Sequence, residues 1–325
     1  MTTKVVVAVD GGGSKTDVVA LTLDGAVIAR KRGPKSSPHI VGLEGSVAVI
    51  EALVNEVIGD AEVAQANVYL SGLDLPVEIE RYRAGLAGRA WAREGLVVDN
   101  DLFALLRAGT EAADAVAVIC GTGINAVGIR ADGATIRFPA LGEISGDWGG
   151  GFGLGQAALW HAARAVDGRG PATALVEGVL ATLGADSIDD VIEQLHFGER
   201  EFGDLSTLAP VVLAAAALGD AVATSLVDRQ ADEIVAYVRA IVTRLELAGT
   251  AFPVVLGGGM FERDSPRLSG GVLAGVAAVA PLAEVVHVRR PPIAGAALLA
   301  LEHAGASATA IGIADAAFAS AVADV

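Results

Sequence analysis

Two short stretches of this chain carry residue types suited to phosphate chemistry. Asp10-Gly11-Gly12-Gly13-Ser14-Lys15-Thr16 closes one apolar run, and Gly121-Thr122-Gly123-Ile124-Asn125 closes another that ends at Cys120. Glycine puts no side chain between backbone N–H groups and an anionic oxygen, so either corner can face a phosphate. Asp10 is placed to hold Mg²⁺, directly or through water, because its oxygens are hard ligands. The first corner is not a P-loop. Ser14 stands where that motif needs glycine before the lysine, and a strand rather than a helix follows. Lys15 either touches a phosphate or is simply solvated. A third glycine group, Gly257-Gly258-Gly259, ends the apolar Val254-Val255-Leu256. Asn100-Asp101 sits where a strand gives way to a helix. Asp101 there can take a proton from an alcohol, or it can cap the helix.

The elements that position these residues are repeated. Strand, glycine corner, strand, Asp-Gly turn and strand occur once through Asp24-Gly25 and again through Asp132-Gly133. Strands are predicted at 4–10, 16–23 and 26–32, with a helix at about 43–58. A strand at 67–71, a helix at 76–93, a strand at 95–99 and a helix at 102–109 come next. Helices dominate from about 154 to 248, the longest near 221–247. A late strand at 253–256 and a helix from Pro291-Pro292 to about His303 follow. The Ala-rich tail, 306–325, is predicted to be helical and to pack on a neighbouring element. No Ser/Gly linker interrupts the chain. The division is expected near residue 112, with an N-terminal lobe of 1–112 joined by helix 292–325 and a C-terminal lobe of 113–291.

Composition limits the possible partners. With 325 residues, 53% hydrophobic and 19% charged, the chain can bury a large core. A net charge of −16 argues against nucleic acid. A single cysteine, Cys120, excludes internal disulfides and multi-cysteine metal sites, and it reads as a small core residue. The five histidines lack metal-ligand spacing. The opening residues lead straight into a strand, so no signal peptide is expected. No apolar stretch is long enough for a membrane span. A cytoplasmic protein with no membrane or nucleic-acid partner is the expectation.

The three glycine corners, in order and with a carboxylate between the first two, resemble the actin/Hsp70/sugar-kinase superfamily. Within it the chain is similar to the BadF/BadG/BcrA/BcrD group, which includes N-acetylglucosamine kinases and bacterial glucosamine kinases. The resemblance runs from Val5 to about His303. It implies an α/β fold of two ribonuclease-H-like lobes with ATP, Mg²⁺ and a sugar in the interlobe cleft, and a homodimer as a possible assembly. It assigns phosphate contacts to Gly11, Gly12, Gly13, Ser14, Lys15, Thr16, Gly121, Thr122 and Gly123. Gly257, Gly258 and Gly259 are assigned to the adenosine, and Asp10 to the metal. The segment Asn100–Thr110 resembles the one that carries the family's catalytic base, which maps that role onto Asp101. Gly146–Gly155 resembles the sugar-contacting segment, so Asp147 is expected at sugar hydroxyls, with Asn125 from the second phosphate motif. Ser37, Asn100 and Glu143 complete the expected substrate set.

The departures fall around the sugar substituent. Trp148 replaces the usual Glu, Gly150 a Ser, Ile124 a Ser, Leu141 a Trp, and Ser37-Pro38 an Asn-His pair. Glu143 and Asp147 would suit a free ammonium, which points to glucosamine rather than its N-acetyl form. The implied activity is transfer of the ATP γ-phosphate to the 6-hydroxyl of an amino sugar. Two alternatives have the same ancestry. One is an ATPase that activates a partner enzyme, which would need cluster thiolates that one cysteine cannot supply. The other is a non-catalytic sugar sensor.

Overall fold

The computed structural model describes residues 3–263 and 265–320. The chain forms two compact units, Met1–Ala117 with Val286–Val325, and Val118–Val285. The division thus falls within a strand rather than in the loop around residue 112.

Unit 1 opens with β1 (Lys4–Gly11), β2 (Thr16–Thr22) and β3 (Val27–Gly33), an antiparallel meander. Then come α1 (Pro38–Ile58), β4 (Glu62–Leu70), α2 (Pro76–Gly85), β5 (Leu96–Asn100) and α3 (Leu102–Gly109). The strand order is β3-β2-β1-β4-β5, with β4 parallel to both β1 and β5. β1 is apolar at every central position because both its faces are covered. Val5, Val7 and Val9 join the core beneath α1 and α2, whereas Val6 and Ala8 join the opposite core beneath the C-terminal helices. Leu21 is fully buried in that second core, and its truncation to alanine should cost about 2–5 kcal/mol.

Unit 2 repeats the pattern. β6 (Ala115–Cys120), β7 (Ile124–Ile129) and β8 (Thr135–Arg137) form its meander, followed by α4 (Gly150–Val166), α5 (Leu175–Leu183) and α6 (Ile188–His196). Next are α7 (Ala209–Ala217), α8 (Ala221–Arg244), β9 (Pro253–Gly257), α9 (Pro266–Val279) and β10 (Glu284–His287). The sheet order β10-β9-β6-β7-β8 is that of the first sheet when each meander is counted from its own first strand. This is the duplicated ribonuclease-H-like topology that the repeated corners imply.

The chain returns to unit 1 through α10 (Pro292–His303) and α11 (Ala308–Ser320). α11 packs on unit 1 itself. Ala314 and Phe318 are fully buried, and the Arg30 guanidinium lies 4.1 Å from the Phe318 ring centre. Arg30 also donates to the Ala317 carbonyl at 3.3 Å. Residues beyond 320 of the expected helical tail lie outside the described ones.

Three boundaries differ from expectation for local reasons. α1 begins at Pro38, ahead of Gly42, whose φ of 72° kinks the helix. α2 ends at Gly85, and 86–95 is irregular apart from a short helical turn at Ala90–Ala92, because Gly88 has a φ of 85° that helical backbone excludes. β4 starts at Glu62, five residues before the apolar run that signals it, since it pairs along all of β1. Among the described residues no single helix is long and apolar enough to cross a membrane.

Candidate active site

Strand register brings the unit 1 residues together. Gly11 pairs with Leu70 across β1 and β4, and Leu70 pairs with Asn100 across β4 and β5. The carboxyl ends of three parallel strands are therefore level, which is where open α/β sheets place their ligands. Asp10 ends β1, and Asp101 follows β5.

At the first corner a Cβ on Gly11 would lie 2.3 Å from Ser36 Oγ and 2.4 Å from a Leu70 methyl, so only glycine fits. Gly12 N–H donates to the Lys15 carbonyl at 2.9 Å, and the Gly12 carbonyl accepts from Ser36 and Ser37 N–H at 3.1 and 3.2 Å. Gly13, Ser14 and Lys15 are exposed. Lys15 Nζ lies 3.7 Å from Asp17, whose carboxylate is held by Arg32 through two hydrogen bonds. Thr16 faces inward. It is fully buried, and its hydroxyl is engaged with the Pro34 carbonyl and Ser36 Oγ at 2.6 and 2.7 Å. Its side chain braces the corner rather than facing a ligand. Ser37 is buried at the start of α1 with its Oγ packed against Gly72.

Asp10 and Asp101 are both half-buried. Burial, then the Asp17 charge, pushes Asp10 up to about 7 against the pull of Lys15 and Arg32. Burial, then the charges of Asp10 and Asp74, pushes Asp101 up to about 8, and the neighbouring N–H groups of Asp101 and Leu102 oppose this weakly. Asp101 occupies the N-cap position of α3 but makes no side-chain cap hydrogen bond. Asn100 instead closes the turn that leads into α3. Its Oδ1 accepts from Leu102 N–H at 3.0 Å, and its Nδ2 donates to Asp74 Oδ1 at 2.9 Å. Asn100 is buried and both ends of its amide are engaged, so it reads as the residue that presents Asp101.

The same rim extends to His39 and Glu78, which share a 2.7 Å hydrogen bond. Glu78 also accepts from Asp74 and Leu75 N–H at 2.9 and 2.8 Å. Burial pushes its carboxyl up, but the Leu75 N–H, the His39 ring and the Asp74 N–H outweigh this and hold it below the usual range. Ligand atoms of His39, Asp74 and Glu78 lie within 4.8 Å of one another. Asp74, His39 and Glu78 are absent from the sequence-derived set. The signal available was Asp74 in the Gly72-Leu73-Asp74 turn directly after a strand.

In unit 2, α4 starts against the second glycine corner. Gly151 and Phe152 N–H donate to the Gly121 and Thr122 carbonyls, both at 2.8 Å. These carbonyls point into the helix start and satisfy two of its unpaired donors. Gly150 has a φ of 67°, and a Cβ there would lie 2.5 Å from the Gly123 carbonyl. Gly150 N–H donates to Gln230 Oε1 at 2.7 Å. The third corner abuts the second. Met260 N–H donates to the Cys120 carbonyl at 3.0 Å, and a Cβ on Gly258 would lie 2.5 Å from that same oxygen. Gly257, Gly258 and Gly259 thus border the Gly121–Gly123 corner. Cys120 is fully buried, and burial pushes its thiol up to about 12 against a backbone hydrogen bond from Gly150. It is a core residue and no nucleophile.

Asn125 is nearly buried, and its Oδ1 accepts from Ala126 N–H at 2.7 Å. Asp147 is also nearly buried, and each of its oxygens accepts from a hydroxyl, Tyr237 on one side and Ser145 on the other. Glu143, on the short helical turn Gly142–Ser145, is exposed. Trp148 is covered by the Arg229 guanidinium, 3.8 Å from its ring centre. Tyr237 and Gln230 were not singled out from sequence. Two polar side chains seven residues apart within an apolar stripe were the available sign, since that spacing places both on one helix face.

Similarity across nearly the whole chain complements this geometry. One family pattern spans residues 7–300. The chain belongs to the BadF/BadG/BcrA/BcrD ATPase family. Among its relatives in this family, the Dictyostelium discoideum protein named N-acetyl-D-glucosamine kinase is 29% identical over 320 residues, covering 93% of this chain and 99% of that one. The Clostridium acetobutylicum N-acetylmuramic acid/N-acetylglucosamine kinase is 27% identical, covering 80% of this chain and 86% of its own. A Chromobacterium violaceum crystal structure provisionally named N-acetylglucosamine kinase superposes with a TM-score of 0.72 at 24% identity, over 91% of this chain and 98% of that one. A Streptomyces griseus ROK-family glucokinase with glucose and AMPPNP superposes with a TM-score of 0.57 at 17% identity, over 92% and 99%. At these identities the structural likenesses establish the sugar-kinase fold for this family member, and no more.

Proposed function

We propose that this protein is an ATP-dependent sugar kinase that transfers the γ-phosphate to the 6-hydroxyl of an amino sugar, with Asp101 as general base. One observation carries the reading. The Asp101 carboxyl stands at the start of α3 without a side-chain cap hydrogen bond, and burial, then Asp10 and Asp74, push it up to about 8. A carboxylate of that basicity takes an alcohol proton near neutral pH far better than an ordinary aspartate, and such bases contribute roughly 10²–10⁴-fold. The names of the curated relatives support the amino-sugar class.

The roles divide by unit. In unit 1, the Gly11–Lys15 corner faces the terminal phosphates with its exposed part, Gly13–Lys15, and Asp101 activates the hydroxyl. In unit 2, Gly121–Gly123 take the phosphates, Gly257–Gly259 approach the adenosine, and Asp147 and Asn125 bind the sugar. Asp10 fits a hard divalent cation, because its half-buried carboxylate near Asp101 makes no ion pair with a Lys or Arg among the described residues. Bound there, Mg²⁺ would neutralise phosphate charge. Positioning and charge neutralisation supply most of the remaining acceleration.

Within the class we favour glucosamine. Glu143 is exposed and offers its oxygens to an ammonium, and Ser37-Pro38 stands where the resemblance expects an Asn-His pair that helps hold N-acetylglucosamine. N-acetylglucosamine is the second reading, supported by the relatives' names and by the engagement of both Asp147 oxygens. An activator ATPase is disfavoured by the burial of Cys120. A coupled ADP-release assay over glucose, glucosamine and N-acetylglucosamine, with the product phosphate located by NMR, tests the reading. Sugar-dependent ADP release with a 6-phosphate product supports it. Release without any sugar, or none with every sugar, overturns it. Equal rates with glucose and glucosamine would defeat the ammonium argument.

A further inference from the structure

Asp147 poses a physical problem that α8 solves. A carboxylate with so little exposed surface is costly unless donors surround it. Two hydroxyls do so from unequal footings. Ser145 Oγ donates to Oδ2 from two residues away, within the same turn. Tyr237 Oη donates to Oδ1 from 90 residues away, on a 24-residue helix. The Tyr237 ring is itself fixed, buried and edge-on to Phe138 with ring centres 4.7 Å apart and planes at 85°. The turn around Asp147 is rich in left-handed backbone, with Gly142, Gly146 and Gly149 at φ of 78°, 84° and 128°. Such a turn has little stiffness of its own.

The same face of α8 also holds the second glycine corner. Gln230, two helical turns before Tyr237, accepts from Gly150 N–H, and Gly150 backs directly on Gly123. One rigid helix therefore sets the position of the carboxylate and of the phosphate corner at once. We propose that Tyr237 is a positioning residue for sugar binding, which aims Asp147 so that its unoccupied lone pairs meet sugar hydroxyls. An ionised carboxylate offers about four acceptor sites, so two remain after Tyr237 and Ser145 are counted. The proposal rests on the kinase reading and adds to it the residue that orients the sugar-binding acid.

Steady-state kinetics of Tyr237→Phe against wild type test it, alongside Asp147→Asn and the double variant, with thermal melting as the control for folding. Loss of one hydrogen bond to a charged group should raise the sugar KM about tenfold, leave kcat and the ATP KM nearly unchanged, and lower the melting temperature by only a few degrees, with the protein still folded. In the Asp147→Asn background the Tyr237→Phe change should add little. An unchanged sugar KM, a parallel rise in ATP and sugar KM, or full additivity in the double variant would overturn the positioning role while leaving the kinase reading intact. Should Tyr237→Phe not fold, Ser145→Ala must show the same selective rise in sugar KM, and its absence overturns the proposal. Absence of sugar-dependent ADP release in wild type itself would overturn the kinase reading and this proposal with it.

Discussion

Asn100 braces the turn from β5 into α3 that carries Asp101. Its Oδ1 accepts the Leu102 N–H at 3.0 Å, and the Asp101 carboxyl stands at the N-cap position without a cap bond. Asp74 fixes the other end of the Asn100 amide at 2.9 Å. Replacing Asn100 with alanine should destabilise the protein by about 1 kcal/mol, the usual net value of a hydrogen bond. Turnover should fall more than that loss implies, because the turn that holds Asp101 loses its bonds to Leu102 and Asp74. Melting temperature and kcat measured together check this. A stability loss with unchanged kcat would show that Asn100 braces the turn without presenting Asp101 for catalysis.

The raised Asp101 and Asp10 carboxyls set a pH dependence. A base must be deprotonated to act, so kcat/KM for the sugar should rise with pH through about 7 to 8 at low divalent-cation concentration. A cation at Asp10 favours the ionised forms, so added Mg²⁺ should move this limb to lower pH. A pH–rate profile at two Mg²⁺ concentrations reads both effects.

The stability effect has the opposite sign to that of an ordinary salt-bridged carboxylate. Asp101 is raised in the folded state from an ordinary 3.8 to about 8. The folded state therefore binds its proton more tightly than the unfolded chain, and stability declines as pH rises between those values. Asp101→Asn removes this penalty. The variant should melt higher than wild type at pH 8, with the difference shrinking toward pH 4, and each kcal/mol should appear as about 2 °C in a chain of this size.

Gly150 lies too close to Gly123 for any side chain. Gly150→Ala places a Cβ 2.5 Å from that carbonyl on backbone with a φ of 67°, so the second corner must shift. The ATP KM should rise by about an order of magnitude or more, with a smaller effect on the sugar KM. Steady-state kinetics with ATP and sugar varied in turn measure both, and isothermal titration with a non-hydrolysable ATP analogue should show a matching rise in Kd.

α11 belongs to the core of unit 1. Phe318→Ala removes a fully buried ring beneath Arg30 and should cost about 3–5 kcal/mol. Chemical denaturation measures it, and a cost below about 1 kcal/mol would place α11 outside the cooperative core.

What the sequence makes legible follows from what is local. Each glycine corner is visible because an apolar run stops there, and the Asp-Gly turns beyond it mark the meander. Asp10 and Asp101 stand out as carboxylates at strand ends. The division near residue 112 is less legible, since no composition change marks β6. Asp74 and Tyr237 are harder still. Asp74 matters through a hydrogen bond to Asn100, 26 residues away, and Tyr237 through one to Asp147, 90 residues away. Each looks locally like an ordinary loop or helix residue. Thr16 shows the reverse, because its place in a phosphate-like motif hides a hydroxyl committed to Pro34 and Ser36.

The most direct test compares wild type with Asp101→Asn in amino-sugar-dependent ADP release, with ATP binding measured on the same samples. The account predicts that the variant binds ATP as wild type does and loses turnover by roughly 10²-fold or more. Near-normal turnover in Asp101→Asn would contradict it.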